Sequence, residues 1–432
     1  MTVATFILSL LGAMALGMPI AYALLVCGVS LMALMTLTGQ LPAFDSQIIA
    51  QRFVDGADNF PLLAVPFFLL AGEFMNAGGM SRRIVNLAMA YVGHFKGGLG
   101  YVAVIAAIIL ASISGSAVAD TAALAAILLP MMKVAGYPVN RSCGLIAAGG
   151  IIAPVIPPSI GFILFGVAGN VSITKLFLAG IVPGILMGLA IGVAWWIVAR
   201  RDNVPAAPRV GYRERFKLTF NGLWALALPV LIIGGMKFGL FTPTEAAVVA
   251  AVYSFFVGMF VYRELKLSHL YGLILAAGKT TAVLIFLVAA AMVSAWLITV
   301  ANIPTEVANI LEPFMGNKML LMVVIMILIV IVGTALDFAP TVLILTPVLM
   351  PVVLKAGIDP VYFGVLFIMN NAIGLITPPV GTVLNVVCGV GRVSMDDAFK
   401  GVMPFLIAEL IVLAALVIFP DIVMVPLKWW MQ

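Results

Sequence analysis

Ser112-Ile113-Ser114-Gly115-Ser116 breaks the apolar run 97–134, and Gly333-Thr334-Ala335-Leu336-Asp337-Phe338-Ala339-Pro340-Thr341 breaks the apolar run 318–355. Each run is about 38 residues long. As one helix it would reach about 57 Å, against a hydrocarbon core of about 30 Å. Two half-helices meeting at a polar tip fit instead. Both runs are therefore read as re-entrant helical hairpins, whose bare tip backbone has to be buried in protein or line a cavity.

Outward from the tips, sequence markers recur at one offset. Pro130 and Pro351 stand 221 residues apart (351 − 130), and Ala135-Gly136 with Ala356-Gly357 keeps that spacing. So do Pro157-Pro158 with Pro378-Pro379, and Gly180/Pro183 with Gly401/Pro404. Ser116 then falls opposite Asp337, and the two halves read as structural copies. Further apolar spans lie near residues 2–16, 19–37, 60–79, 141–170, 177–200, 218–238, 242–263, 270–300, 361–391 and 400–420, giving an all-α polytopic membrane protein. Five of these spans separate the hairpins, and an odd number turns the second copy upside down. Residues 1–200 are thus the first inverted repeat, with scaffold helices, hairpin 97–134 and broken helix 141–170. Residues 201–217 form a cytoplasmic linker. Residues 218–432 are the second repeat, with hairpin 318–355 and broken helix 361–391. Segments 81–96 and 303–316 are too polar to span and read as interfacial arms beside the hairpins.

The chain is 64% hydrophobic and 9% charged over 432 residues, with a mean hydropathy of +1.24. No polar block is long enough for a separate soluble domain, so the net charge of +5 is a topology signal and not a nucleic-acid footprint. Placing the basic 201–217 loop in the cytoplasm puts 16 of the 22 Lys and Arg on that side. The first hairpin then opens to the cytoplasm, the second to the periplasm, and both termini lie outside. Cys27, Cys143 and Cys388 sit in apolar segments and read as small buried hydrophobes. Residues 1–16 lack a basic n-region and read as an uncleaved first span. His94 and His269 flank the membrane away from the tips, so Ser114 and Ser116 have no histidine base. No zinc motif is present, and no enzyme activity is expected.

Inverted repeats with broken helices mark secondary transporters whose sites lie near the midplane. Each hairpin has a partner break: Ile156-Pro157-Pro158-Ser159 and Ile376-Thr377-Pro378-Pro379, the latter followed by Gly381, Thr382 and Asn385. A Pro-Pro pair removes amide donors and unwinds a helix locally. Freed carbonyls and hydroxyls supply oxygen ligands for a dehydrated Na⁺, and helix N-termini at that depth attract an anionic solute group. One Na⁺ site is expected at Ser112, Ser114, Gly115, Ser116, Pro157, Pro158 and Ser159. A second is expected at Gly333, Thr334, Asp337, Thr377, Pro378, Pro379, Gly381 and Thr382. The solute would lie between the tips, near Ser116, Asp120, Thr341 and Asn385. No other metal or cofactor is expected. Of the intramembrane acids, Asp337 is the strongest candidate, and Asp120 reads equally as a helix cap. Glu73 reads as solvated near a membrane surface, and Glu409 as facing a neighbouring helix or a partner subunit. Thr242-Pro243-Thr244-Glu245 is a structural capping box.

Ser114-Gly115-Ser116-Ala117-Val118-Ala119-Asp120, Phe241-Thr242-Pro243-Thr244-Glu245-Ala246-Ala247 and Leu343-Ile344-Leu345-Thr346-Pro347 resemble the large membrane subunit of TRAP (tripartite ATP-independent periplasmic) transporters. So do both Pro-Pro breaks, and the similarity runs in order along the chain. Phe338 after Asp337 departs from the family pattern. The resemblance implies Na⁺-driven uptake of an organic acid, such as a sugar acid, dicarboxylate or sialic acid, across the bacterial inner membrane. It implies an elevator-type transporter in which hairpins and broken helices move as one block. It also implies two partners, a periplasmic substrate-binding protein and a small four-helix membrane subunit. The alternative is a stand-alone ion/solute symporter or antiporter of the same inverted fold.

Overall fold

The computed structural model describes residues 2–202, 204–206 and 209–431 as helices joined by short turns, with one isolated bridge between Lys96 and Ala206. The first half runs α1 (Thr2–Ala15), α2 (Ile20–Leu37), α3 (Ser46–Ala57), α4 (Ala64–Ala77), α5 (Met80–Val92), α6 (Gly98–Ser114), α7 (Ala117–Val134), α8 (Val139–Gly150), α9 (Ile160–Gly169) and α10 (Ile173–Arg201). The second half repeats it as α11 (Tyr212–Lys237), α12 (Pro243–Phe256), α13 (Leu267–Val300), α14 (Ile303–Leu311), α15 (Lys318–Ala335), α16 (Phe338–Lys355), α17 (Pro360–Gly374), α18 (Thr382–Gly391) and α19 (Met395–Ile418), and adds α20 (Asp421–Met431). The marker offset reappears in the elements. Helices α7 and α16 start 221 residues apart (338 − 117) and end 221 apart (355 − 134).

The hairpin arms are 17 or 18 residues long, about 26–27 Å, so their length alone would allow full crossings. The tips decide the matter. Gly115, at φ +63°, lies so close to the Pro158 carbonyl oxygen that a Cβ there would collide with it. Pro158 sits in the break between the 12-residue α8 and the 10-residue α9, so the tip stops at the middle of that crossing. The second tip does the same, with Val380 N donating to Thr334 O at 3.2 Å.

Three boundaries differ from the sequence expectation. Helix α11 begins at Tyr212, so the expected linker 201–217 is helical in its last part; Asn203, Ala207 and Pro208 lie outside the described residues. Residues 46–57 form helix α3, started by Asp45, which accepts from Gln47 N at 2.8 Å. In the second repeat the α3–α4 equivalent is one helix, α13, of 34 residues. The reason is local: Pro61 forces a turn at 60–63, whereas Ala282 stands in the equivalent place. The polar arms are short helices, α5 and α14, whose buried faces (Ile84, Val85 and Ala88; Ile303, Ala308 and Leu311) pack on the hairpins and the helices beside them.

The helices pack as two groups. Helices α1–α4 join α11–α13; Ser294 Oγ, for instance, donates to Leu24 O at 2.7 Å. Hairpins, broken helices, α10 and α19 form the other group. Its closest seam is between α8 and α19, where Gly144 and Gly401 leave no room for a Cβ and Arg141 Nη1 donates to Lys400 O at 2.8 Å. Gly144→Ala is therefore expected to destabilise by about 1–3 kcal/mol, read as a lower Tm in detergent. Gly234→Ala, which meets only open space, should be neutral or slightly stabilising. Equal Tm values for the two variants would contradict the seam.

Candidate functional site

Four half-helices, α7, α9, α16 and α18, begin at the tips and breaks, and four others, α6, α8, α15 and α17, end there. Positive dipole ends and free carbonyls therefore converge in one region. The hairpins are also cross-braced: α7 packs on α18 of the second broken helix, and α16 packs on α9 of the first.

At the first tip, Ser116 caps α7, its Oγ accepting from Ala119 N at 3.4 Å. Ser114 Oγ accepts from Ser116 N at 3.2 Å and donates to Asp120 Oδ1. Asp120 is 2% exposed, and its Oδ2 has no partner. Ser159 caps α9 by accepting from Phe162 N at 3.1 Å and donates to Pro154 O. Gly115 rests on Pro158, and residues 151–159 are buried throughout, so Pro157 and Ser159 are closed off from solvent. Ser112 is buried a turn back along α6, its hydroxyl turned to Ile109 O at 2.6 Å. The structure thus brings Ser114, Gly115, Ser116, Asp120, Pro158 and Ser159 to one place. Ser112 contributes its hydroxyl to its own helix.

The second tip is more open. Asp337 is exposed; it caps α16 through Phe338 N at 2.9 Å and accepts from Thr382 Oγ1 at 3.0 Å. Thr334 O receives Val380 N, while its hydroxyl goes to Ile331 O at 2.8 Å. Gly333 packs on Gly374 and Asn371. Thr377 donates to Ile373 O at 2.9 Å, and exposed Asn385 donates to Val380 O at 2.7 Å. Pro378 is partly buried and Pro379 exposed, and Gly381, at φ +48°, starts α18. Thr341 is fully buried, its hydroxyl committed to Asp337 O at 2.9 Å, so it backs the tip from inside. Among the four helix starts, Ser116, Ser159 and Asp337 supply side-chain caps, and only α18 begins without one.

Sequence reasoning missed two groups. Thr121 is fully buried with an unpartnered Oγ1, beside Gly150 at the end of α8. Asn371 donates to Phe338 O at 2.9 Å, and its Oδ1 has no partner near Gly333. Buried polar oxygens are normally satisfied, so these belong with the candidate cation ligands. The pair Asn370-Asn371 inside an apolar span was the legible signal. Phe338 reaches the other half, filling the space over Gly161 of α9.

Two acids lie outside this cluster. Glu73 is partly buried on α4 rather than solvated. Glu409 is fully buried within the chain, so it faces neighbouring helices of the same molecule, and both of its oxygens lack a partner. An unpaired polar group buried in this way is costly. Glu409→Met is accordingly expected to raise stability by about 1–3 kcal/mol, seen as a higher Tm; a lowered Tm would mean the carboxyl has a partner that stabilises it.

The family described as "Tripartite ATP-independent periplasmic transporter, DctM component" matches residues 7–422. The chain is 56% identical to the 2,3-diketo-L-gulonate TRAP transporter large permease protein YiaN of Escherichia coli, covering 99% of this chain and 100% of that one. It is 37% identical to the isethionate TRAP transporter permease protein DctMQ of Oleidesulfovibrio alaskensis, over 94% of this chain and 64% of that longer one. The crystal structure of the Alcanivorax borkumensis YdaH transporter superposes with a TM-score of 0.68 over 95% of this chain and 98% of that one. At 15% identity that likeness speaks to fold alone.

Proposed function

The chain belongs to the DctM-component family of tripartite ATP-independent periplasmic transporters, as a large permease subunit, and from that premise we propose that it imports an organic acid, driven by Na⁺, across the bacterial inner membrane. The observation that carries this reading is the meeting of four helix starts and four helix ends at two tip-and-break pairs. Helix ends offer carbonyls to Na⁺. The uncapped start of α18 offers amides and a positive dipole end to a carboxylate. Ser114, Gly115, Ser116, Pro158 and Ser159, with Asp120 and Thr121 beside them, form the first cation site. Gly333, Thr334, Asp337, Thr382 and Asn371 form the second. The solute takes the open side, near Ser116, Asn385 and the α18 start, where Asp337, Pro379 and Val380 are also exposed. The E. coli relative's named substrate, a sugar acid, supports that class.

The division into two packed groups supports an elevator in which hairpins, broken helices, α10 and α19 move against the remaining helices. Large permeases of this family work with a periplasmic binding protein and a small membrane subunit. The DctMQ relative, which is longer than this chain, supports the second partner. The Lys and Arg distribution supports the 201–217 loop on the cytoplasmic face and both termini outside.

Reconstitution tests the proposal. With small subunit, binding protein and an imposed Na⁺ gradient, proteoliposomes should accumulate a sugar acid that the binding protein recognises, and dissipating the gradient should stop it. Ser116→Ala and Thr382→Ala, singly and together, should weaken the Na⁺ dependence. Accumulation by this chain alone would favour the stand-alone symporter instead.

A further inference from the structure

We propose that the groove between α6 and α10 is a binding site for one anionic phospholipid. The groove encloses about 820 Å³. Its trough is apolar, walled by Ile105 and Ile108 of α6 and by Leu189 and Val193 of α10, with Gly188 and Gly192 as its floor. Lys96, just before α6, and Arg200, at the end of α10, stand together at one mouth because the two helices run in opposite directions. Both are exposed, and the Arg200 guanidinium lies 3.9 Å from the centre of the Trp196 ring. No acidic residue is among the described residues that line the groove. From Arg200 to Gly188 is about 18 Å of helix, close to the depth of one leaflet of a ~30 Å core. That depth suits an acyl chain below a phosphate and is too short for a partner's spanning helix.

The inverted repeat supplies an internal control. The equivalent groove, between α15 and α19, holds about 430 Å³ and keeps the apolar trough, with Met326, Ile327, Leu410 and Leu413 among its walls. At the shared offset, however, Lys96 becomes Asn317 and Arg200 becomes Asp421, while Trp196 becomes Val417. The fold therefore builds the trough twice and the pair of cations once; Lys318, beside Asn317, gives its ammonium to Gly357 O at 2.7 Å and lines the adjoining cleft together with Asp359. Cations at a membrane surface attract anionic headgroups, so charge selection belongs to the α6–α10 groove alone. The inference rests on α6 and α10 lying in the membrane and is independent of the coupling ion and the solute.

Native mass spectrometry of the purified chain tests it, in neutral detergent with phosphatidylglycerol or phosphatidylcholine added. The expected result is one retained phosphatidylglycerol, favoured over phosphatidylcholine by roughly tenfold to thirtyfold for two cations. Lys96→Gln with Arg200→Gln should remove the preference. Gly192→Leu, whose side chain starts in open space, should fill the trough and lower retention of both lipids. Asn317→Lys with Asp421→Arg should add a second retained phosphatidylglycerol, a gain that does not depend on how the loss variants fold. Equal retention of the two lipids would overturn the proposal. So would displacement of the lipid by glycerol 3-phosphate, which would make the mouth a soluble-phosphate site, or displacement by the small membrane subunit, which would make the groove a protein interface.

Discussion

Gly115→Val is expected to abolish Na⁺-driven uptake while leaving membrane insertion intact. Gly115 is held at φ +63°, a backbone region that costs a branched residue on the order of 1–2 kcal/mol. The strain is the smaller part. A Cβ at Gly115 runs into the Pro158 carbonyl oxygen and crowds Ser159, so the tip has to lift from the break. Lifting it separates Ser114 and Ser116 from the Pro158–Ser159 backbone and takes the first cation site apart. A loss of about 3 kcal/mol of ion binding corresponds to more than a hundredfold in affinity. Gly136→Val is the matched control: it has φ +79° and meets nothing within 4 Å. It should retain most of its uptake. Similar losses in both variants would mean that backbone strain, and not the tip contact, is responsible.

Asp337→Ala is expected to raise the half-saturating Na⁺ concentration by tenfold or more, on the order of 1.4 kcal/mol or above. The substitution removes three things at once: the cap on α16, the hydrogen bond from Thr382 Oγ1, and the carboxylate at the second tip. Asp337→Asn separates them, since its amide oxygen can still cap α16 and accept from Thr382. If charge on the cation site dominates, Asn behaves like Ala in Na⁺ titrations of uptake. If capping dominates, Asn behaves like the unaltered chain. No change in Na⁺ dependence in either variant would remove Asp337 from the site.

Much of this arrangement was legible in the sequence because its signals are covalent and local. A Pro-Pro pair in an apolar span has few uses other than to break it, and Ser116 opposite Asp337 turns out to be cap opposite cap. The 221-residue offset holds to the residue at both ends of α7 and α16, at the ends of α6 and α15 and at the starts of α8 and α17, because these boundaries share their start and stop residues. What stayed hidden depends on direction. Ser112, Thr334, Thr341 and Thr377 have the right chemistry, but their hydroxyls turn back onto their own helices, which leaves Thr334 its carbonyl to offer. Thr121 is indistinguishable in sequence from a packing residue until the close-packed Gly150 is seen against it, and the Asn370-Asn371 pair does not say which of the two faces Gly333. Helix α3 was hidden because the segment is too polar for a span and its copy in α13 runs on without Pro61.

The proposed site requires two hairpins that enter from opposite faces and stop at the breaks. Single cysteines placed at Phe95, Lys133, Met319 and Lys355, all exposed at the hairpin bases, report this directly in a background lacking Cys27, Cys143 and Cys388. With a membrane-impermeant thiol reagent, positions 95 and 133 should label together from the cytoplasmic face, and 319 and 355 together from the periplasmic face. Labelling of 95 and 133 from opposite faces would make each arm a complete crossing and contradict the site described above.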